Sequence, residues 1–80
     1  MQYDEVFSIL REAVADMMNI DEDAVESDSL LEEDLGMDSV DAQELMYIAE
    51  EEFNIFVKEN DVFKIKSLDD AVNYVLSKMK

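Results

Sequence analysis

Apolar residues recur at the spacing of an α-helix in three separate stretches of this chain, and this pattern constrains the fold more than any other feature. The stretches run from Tyr3 to Met18, from Ser39 to Phe53 and from Leu68 to Met79. Such spacing predicts amphipathic helices that each turn one apolar face inward. A short helical turn is also predicted from Glu59 to Phe63, whereas the alternation typical of a strand occurs only from Ile55 to Val57.

The same spacing predicts which side chains form the core. They are Val6, Phe7, Leu10, Val14, Met17 and Met18 in the first helix, Val40, Leu45, Ile48, Ala49 and Phe53 in the second, and Ala71, Val72, Val75 and Leu76 in the last. Eighty residues suffice for one core of this kind but not for two. We therefore expect an all-α fold, a small four-helix bundle of three main helices and one short helix, in a single domain covering residues 1–80.

Polar residues mark the ends of the predicted helices. Asp38 is a favourable N-cap for the second helix, and Asp41 follows three residues later, as in a capping box with Asp in place of Glu. Ser67 is the expected N-cap of the last helix. Asn54 is expected to end the second helix, because asparagine tolerates the left-handed conformation found there.

A long polar loop, NIDEDAVESDSLLEEDLGM, joins the first two long helices. Loops of this length are uncommon in compact domains, and they are usually functional or anchored by their own side chains. The apolar residues available for anchoring this loop are Ile20, Val25, Leu30, Leu31 and Leu35.

The charge of the chain excludes several classes of partner. Twenty-two acidic residues against six basic ones give a net charge of −16, which repels nucleic acid and anionic membrane surfaces and attracts proteins with basic patches. The chain has no cysteine for a disulfide or a thiolate zinc site, and no histidine for a general base. Neither a secretory signal nor a membrane-spanning stretch is visible. We expect a monomeric cytoplasmic domain.

Ser39 stands at the predicted start of the second helix. Serine is common at helix starts, so this position alone indicates no function. A Ser-His-Asp nucleophile is excluded because the chain contains no histidine. The N-terminus of a helix does, however, offer free N–H groups and a positive dipole end, where a phosphate group is stabilised.

The segment DLGMDSVDAQELMYIAEEEF resembles the phosphopantetheine attachment segment of the acyl carrier proteins. The usual pattern in that family is D-L-G-x-D-S-L-D followed by an acidic helix. The similarity extends over essentially the whole chain, including its length, its acidity, the long first loop and the C-terminal segment DVFKIKSLDDAVNYVLSKM. The family folds as a four-helix bundle, in agreement with the helices predicted above. The resemblance therefore implies a carrier protein rather than an enzyme.

This resemblance also implies a cofactor, partners and sites. Ser39 is expected to carry 4′-phosphopantetheine, derived from coenzyme A and attached by a phosphopantetheinyl transferase, and the terminal thiol of this arm holds an acyl chain as a thioester. The partners are acyl-transferring and chain-elongating enzymes of fatty acid or related polyketide and lipid biosynthesis, which carry basic patches. The expected docking residues are Asp34, Asp38, Val40, Asp41, Glu44, Tyr47, Glu50 and Glu51. A helical bundle can also open a crevice for the acyl chain between its helices. The candidate lining residues, which equally fit ordinary core packing, are Leu45, Ile48, Val57, Val62, Ile65, Leu68 and Ala71.

Five positions depart from the family pattern. Gln43 replaces a common apolar residue, Tyr47 a frequent methionine and Lys58 a frequent proline, while Phe56 and Phe63 stand at usually polar or acidic positions. The two phenylalanines either fill the core or contact a partner. Because these departures leave cargo and partners open, a specialised carrier for polyketide, lipid A, or amino-acyl and peptidyl chemistry remains an alternative.

Two further classes of protein are alternatives to the carrier. From Asp21 onward, acids occupy positions 1, 3 and 12 of a possible calcium loop, namely Asp21, Asp23 and Glu32. Val25 and Glu26 stand where such a loop needs an oxygen ligand and a glycine, which argues against this site. The other class is an adaptor with an unmodified serine, which would fail to accept phosphopantetheine.

The net charge of −16 predicts that ionic strength affects stability. Self-repulsion destabilises a compact state of this charge, and salt or millimolar divalent cations screen the repulsion. We expect the melting temperature, measured by circular dichroism, to rise from low to moderate salt. A melting temperature that stays flat over this range would contradict the role given to self-repulsion.

Overall fold

A computed structural model describes residues 2–79, and this part of the chain contains four α-helices. They are α1 (Tyr3–Met18), α2 (Ser39–Phe53), α3 (Glu59–Val62) and α4 (Leu68–Lys78). The predicted all-α architecture of three main helices and one short helix is confirmed. The helices α3 and α4 each end one residue earlier than predicted. Met1 and Lys80, the ends of the predicted domain, lie outside the described residues.

The core lies where α1 packs against α4 and α2. Val6, Leu10 and Val14 of α1 are fully buried, as their spacing predicted. The other helices contribute to the core Leu45, Met46, Ala49, Phe53, Val62, Leu68, Ala71, Val72 and Val75. Several predicted core residues lie at the edge of this cluster and are half-buried, namely Phe7, Met17, Met18 and Leu76.

Two predicted core residues of α2, Val40 and Ile48, are wrong. Val40 is 69% exposed, and Met46, which the sequence analysis did not assign to the core, is fully buried. With about 3.6 residues per turn, Val40 lies about 140° around the helix from Leu45, whereas Ala42 lies only about 60° away. Ala42 accordingly packs against the core, while Val40 faces solvent. Ile48 is half-buried and lies outside the core cluster.

The long first loop is anchored by four buried side chains. Val25, Leu31 and Leu35 are buried, as predicted, and Met37 joins them at 2% exposure. The predicted anchors Ile20 and Leu30 are wrong, because both are exposed. Neighbouring side chains of an extended segment point to opposite sides. Leu30 pairs with Ser67 in an isolated antiparallel bridge and points outward. The next residue, Leu31, therefore points inward.

Backbone hydrogen bonds attach this loop to the segment before α4. The Leu31 N–H donates to the Lys66 carbonyl at 2.9 Å, and the Leu68 N–H donates to the Ser29 carbonyl at 3.0 Å. The loop also contains a 3-10 helix at Glu22–Ala24. Arg11 holds this turn to α1, since its Nε donates to the Glu22 carbonyl at 2.7 Å.

The predicted ends of α2 and the start of α4 are confirmed. Asn54 follows α2 in the left-handed conformation, with φ of 54°. Ser67 caps α4, because its hydroxyl accepts the Asp70 N–H at 3.1 Å. None of the helices within residues 2–79 is long and apolar enough to cross a membrane.

A tyrosine joins the start of α1 to the start of α4. The Tyr3 hydroxyl donates a hydrogen bond to Asp69, and the Tyr3 ring stacks on Phe7 at 6.4 Å between centroids. Burial, followed by the hydrogen bond and negative charge of Asp69, raises the pKa of Tyr3 from 10.0 to about 12. The stabilisation is therefore fully present below pH 10 and is lost as the pH rises through about 12.

We expect Tyr3→Phe to lower the free energy of unfolding at pH 7 by about 1 to 2 kcal/mol, because it removes the hydrogen bond to a carboxylate but keeps the ring. Between pH 10 and 12, wild type should lose stability that this variant never had. Urea denaturation at a series of pH values measures both effects. Tyr47→Phe, at an exposed position, is the control and should change little; equal losses in the two variants would contradict the role of Asp69.

Candidate functional site

Ser39 is the first residue of α2, and its side chain is exposed. The preceding residue, Asp38, is the N-cap and has an extended backbone. The Asp41 N–H donates to Asp38 Oδ1 at 2.9 Å, and the Asp38 N–H donates to Asp41 Oδ2 at 3.2 Å. This reciprocal pair confirms the predicted capping box and sets the direction in which the helix starts. Because Asp38 does the capping, the hydroxyl of Ser39 is left available.

A tight turn at Gly36 precedes the start of α2. Gly36 has φ of +71°, a left-handed backbone conformation that is strained for most residues other than glycine. The Met37 N–H then donates to the Leu31 carbonyl at 2.8 Å, and the Met37 side chain is buried in the core. Ser39 therefore stands two residues beyond a side chain that is fixed in the interior.

A cleft of about 330 Å³ opens beside Ser39. It is bounded by the end of the first loop, the start of α2, and the segment from α3 to α4. Its lining consists of Leu31, Glu32, Glu33, Met37, Asp38, Ser39, Ala42, Val62, Phe63, Ile65 and Lys66. The cleft is open to solvent at Ser39 and apolar along Leu31, Met37 and Ile65.

Only two of the seven predicted acyl-crevice residues, Val62 and Ile65, line this cleft. Leu45, Leu68 and Ala71 are fully buried in the closed core. Val57 lines a separate groove, which Val62 also lines, and Ile48 is half-buried on α2 outside the core cluster. The predicted set is thus divided between the core and two surface depressions.

The sequence analysis missed several residues that line the cleft. Met37, Ala42, Lys66 and the acids Glu32 and Glu33 had no pattern that separates them from loop or surface residues. Phe63 did carry a signal in the sequence, because the family usually has a polar or acidic residue at this position. Its side chain is 58% exposed.

The predicted docking residues fall into two groups. Val40, Glu44, Tyr47 and Glu51 are exposed on α2. The others form hydrogen bonds that shape the backbone. Besides the capping pair Asp38 and Asp41, Asp34 Oδ2 accepts the Leu30 N–H at 2.8 Å, and Glu50 Oε2 accepts the Val57 N–H at 2.8 Å.

A tyrosine and a carboxylate hold α3 against α4. The Tyr74 hydroxyl donates to Asp61 Oδ2 at 2.7 Å and accepts the Lys58 N–H at 3.3 Å. Burial, together with the hydrogen bond to Asp61, raises the pKa of Tyr74. The same hydrogen bond, helped by Lys64 at 3.6 Å, lowers the pKa of Asp61. Both pKa shifts favour a protonated Tyr74 and an ionised Asp61 at neutral pH, which are the states that form the hydrogen bond. This hydrogen bond holds α3 in a fixed position beside the cleft.

The described part of the chain offers no built metal site. Within residues 2–79, no group of three or more Asp, Glu, His or Cys side chains is arranged to hold a metal ion. Asp23, which would occupy position 3 of the calcium loop that the sequence argues against, lies 3.5 Å from the Arg11 guanidinium.

Comparison with known proteins agrees with this geometry. The family model described as "Phosphopantetheine attachment site" matches residues 8–75. An acyl carrier protein of Campylobacter lari is 36% identical over 70 residues, covering 88% of this chain and 91% of the relative. An acyl carrier protein of Borreliella burgdorferi is 36% identical over 75 residues, covering 94% of each chain.

Two solved structures have the same fold. An acyl carrier protein from Thermotoga maritima superposes with a TM-score of 0.85 at 25% identity, covering 99% of this chain and 92% of that one. An acyl carrier protein from Enterococcus faecalis gives a TM-score of 0.80 at 27% identity, covering 98% and 99%. The fold and the serine beside its cleft define a small phosphopantetheine-type carrier domain.

The chain belongs to the acyl carrier protein family. Proteins of this family are carriers rather than catalysts, and their prosthetic group is 4′-phosphopantetheine. They interact with a phosphopantetheinyl transferase and with biosynthetic enzymes. The exposed hydroxyl of Ser39 at a helix N-terminus, next to an open cleft, fits the attachment of such an arm.

Proposed function

We propose that this acyl carrier protein bears its phosphopantetheine on Ser39 and, in the cytoplasm, delivers acyl thioesters to enzymes of fatty acid or related biosynthesis. The observation that carries the assignment is the exposed Ser39 hydroxyl at the first position of α2, freed from capping by Asp38. The phosphodiester anion is stabilised there by the helix dipole. Among residues 2–79, neither the Ser39 N–H nor the Val40 N–H has an acceptor, so both are available to phosphate oxygens.

The cleft supports a role for this chain in shielding the cargo. Leu31, Met37 and Val62 present apolar surface beside Ser39, and each methylene group buried there contributes about 0.8 kcal/mol. A longer chain needs room between the core residues Leu45, Leu68 and Ala71, which are closed on one another. Methionines such as Met37 and Met46 adapt their shape to such filling because their side chains are unbranched. We propose that cargo enters at the cleft and reaches the predicted crevice residues by displacing this packing.

The acidic surface of α2 supports the proposed docking of partner enzymes. Glu44 and Glu51 are exposed on the helix that begins at Ser39, and Asp38 and Asp41 flank the serine. Attraction between this surface and basic patches speeds encounter without tight binding, which suits a carrier that must also leave its partner. Individual exposed ion pairs contribute little, so the affinity is modest and depends on salt.

Attachment at Ser39 is tested by mass spectrometry. Incubated with coenzyme A and a phosphopantetheinyl transferase, wild type should gain one phosphopantetheinyl group. Ser39→Ala should gain none and stay folded, because the Ser39 side chain is exposed and Asp38 provides the cap. Ser8→Ala, an exposed serine on α1, is the matched control and should be modified like wild type. Modification of the Ser39→Ala variant at any other serine would overturn the assignment.

Docking is tested by charge reversal. Glu44→Lys should slow the transferase reaction mainly by raising KM, because it weakens encounter near Ser39. It should cost little stability, since Glu44 is exposed. The wild-type rate should also fall as salt increases.

Glu22→Lys is the control for this reversal, because Glu22 lies in the 3-10 helix of the first loop and has an exposed side chain. Its effect on the transferase reaction should be much smaller. Equal losses in the two variants would show that total charge governs recognition, and the assignment of docking to α2 would then be wrong.

A further inference from the structure

Phe63 presents an exposed aromatic ring at the cleft beside Ser39. The residue directly follows α3, and its side chain is 58% exposed, whereas Val62 and Ile65 on either side of it are buried. All three line the same cleft as Ser39, and Phe63 is not part of the core cluster. An aromatic ring left exposed at a partly apolar cleft is typical of a site that binds a small group.

Lys66 supplies the positive charge in the lining of this cleft. The other charged lining residues are the exposed acids Glu32, Glu33 and Asp38. The ion pairs formed among residues 2–79 leave Lys66 without a partner carboxylate. Because three carboxylates repel an anion that enters the cleft, such an anion needs the Lys66 ammonium as its counter-charge.

The backbone that carries these two side chains is fixed before anything binds. The Ile65 N–H donates to the Val62 carbonyl at 3.1 Å, which closes the turn after α3. The Lys66 N–H donates to Asp70 Oδ2 at 3.0 Å, and the Lys66 carbonyl accepts the Leu31 N–H at 2.9 Å. A phenylalanine ring turns about only two side-chain bonds, so contact with it costs little conformational entropy.

The arm proposed for Ser39 has groups that suit both residues, and they come first along its length. It begins with an anionic phosphodiester, continues with a carbon that bears two methyl groups, and only then reaches its amides and its thiol. Because the arm is tethered at Ser39, its effective concentration at the cleft is high, and weak contacts are populated. A free anion lacks this advantage and is repelled by the net charge of −16. The cleft has a volume of about 330 Å³, within the range of about 300–1,000 Å³ that is usual for small-ligand sites.

We propose that Phe63 and Lys66 hold the phosphopantetheine arm against the cleft between visits to partner enzymes. Lys66 pairs with the phosphodiester, and the Phe63 ring covers the two methyl groups. The proposal rests on the attachment at Ser39 proposed above and adds the resting position of the arm. A held arm spends less time in bulk water, and a partner must displace these contacts to receive the cargo. Phe63 departs from the family pattern, which usually has a polar or acidic residue at this position, so this hold is a property of the present chain.

NMR of the protein with its arm attached tests the proposal. The arm is added enzymatically from coenzyme A labelled with ¹³C and ¹⁵N, and mass spectrometry first verifies one phosphopantetheinyl group on Ser39. In wild type, the two methyl groups of the arm should show NOEs to the Phe63 ring and proton signals shifted upfield by its ring current. The order parameter of the first amide in the arm should exceed about 0.6, below which a segment is flexible.

Two variants separate the contributions of the ring and the charge. Phe63→Ser should lower this order parameter below about 0.6 and abolish the upfield shift. The amide signals of core residues should stay in place, because Phe63 is exposed. Lys66→Gln should lower the order parameter by less, and its difference from wild type should shrink as salt increases, because an exposed ion pair is screened.

Phe56→Ser and Lys58→Gln are the matched controls, because both side chains are exposed and neither lines the cleft. They should keep the wild-type order parameter. A wild-type order parameter below about 0.6, or equal values in wild type and Phe63→Ser, would overturn the hold on the arm and leave the attachment intact. An unchanged value in Lys66→Gln would overturn the ion pair. Failure of wild type to gain mass at Ser39 would instead overturn the attachment, and the resting position with it.

Discussion

The backbone of Leu31 connects the three parts of the molecule that surround Ser39. Its N–H donates to the carbonyl of Lys66, just before α4, and its carbonyl accepts the N–H of Met37, just before α2. Its side chain is buried at the same time. Because the backbone of one residue forms both hydrogen bonds, the starts of α2 and α4 are held close together. The cleft beside Ser39 exists because these two helix starts meet at the end of a long loop.

The acidity of the chain has a structural role as well as an electrostatic one. Asp34, Asp38, Asp41, Glu50 and Asp70 each accept a backbone N–H that a helix or turn would otherwise leave without a partner. These carboxylates remain near the surface, where they still contribute to the negative electrostatic field of the protein. Among residues 2–79, no buried side-chain nitrogen or oxygen lacks a hydrogen-bond partner. A strongly charged chain can therefore form a closed core without burying an unpaired charge.

The division between closed core and open cleft bears on how a carrier of this kind holds cargo. Leu45, Leu68 and Ala71 are fully buried, and because protein interiors are close-packed, apolar cargo among them requires displacement of side chains. The cleft at Ser39 requires no displacement at its mouth. A cargo chain is thus stabilised only as far as the helices separate for it. Under the proposed function, this limit keeps the hold on the cargo reversible, and the proposed docking on α2 acts on one of the helices concerned.

The sequence by itself determined the helices, their caps and the serine at the start of α2, because helical periodicity and capping are local properties of the chain. The tertiary structure decided which loop residues point inward. Leu31 and Leu30 are equivalent in hydrophobicity, and only the pairing of Leu30 with Ser67 across the fold separates them. It likewise decided that Phe56 and Tyr47 share a groove although they come from different segments, whereas the exposure of Val40 follows from helix geometry alone. The position of open volume depends on how distant segments pack together, and such long-range contacts leave no periodic signal in the chain.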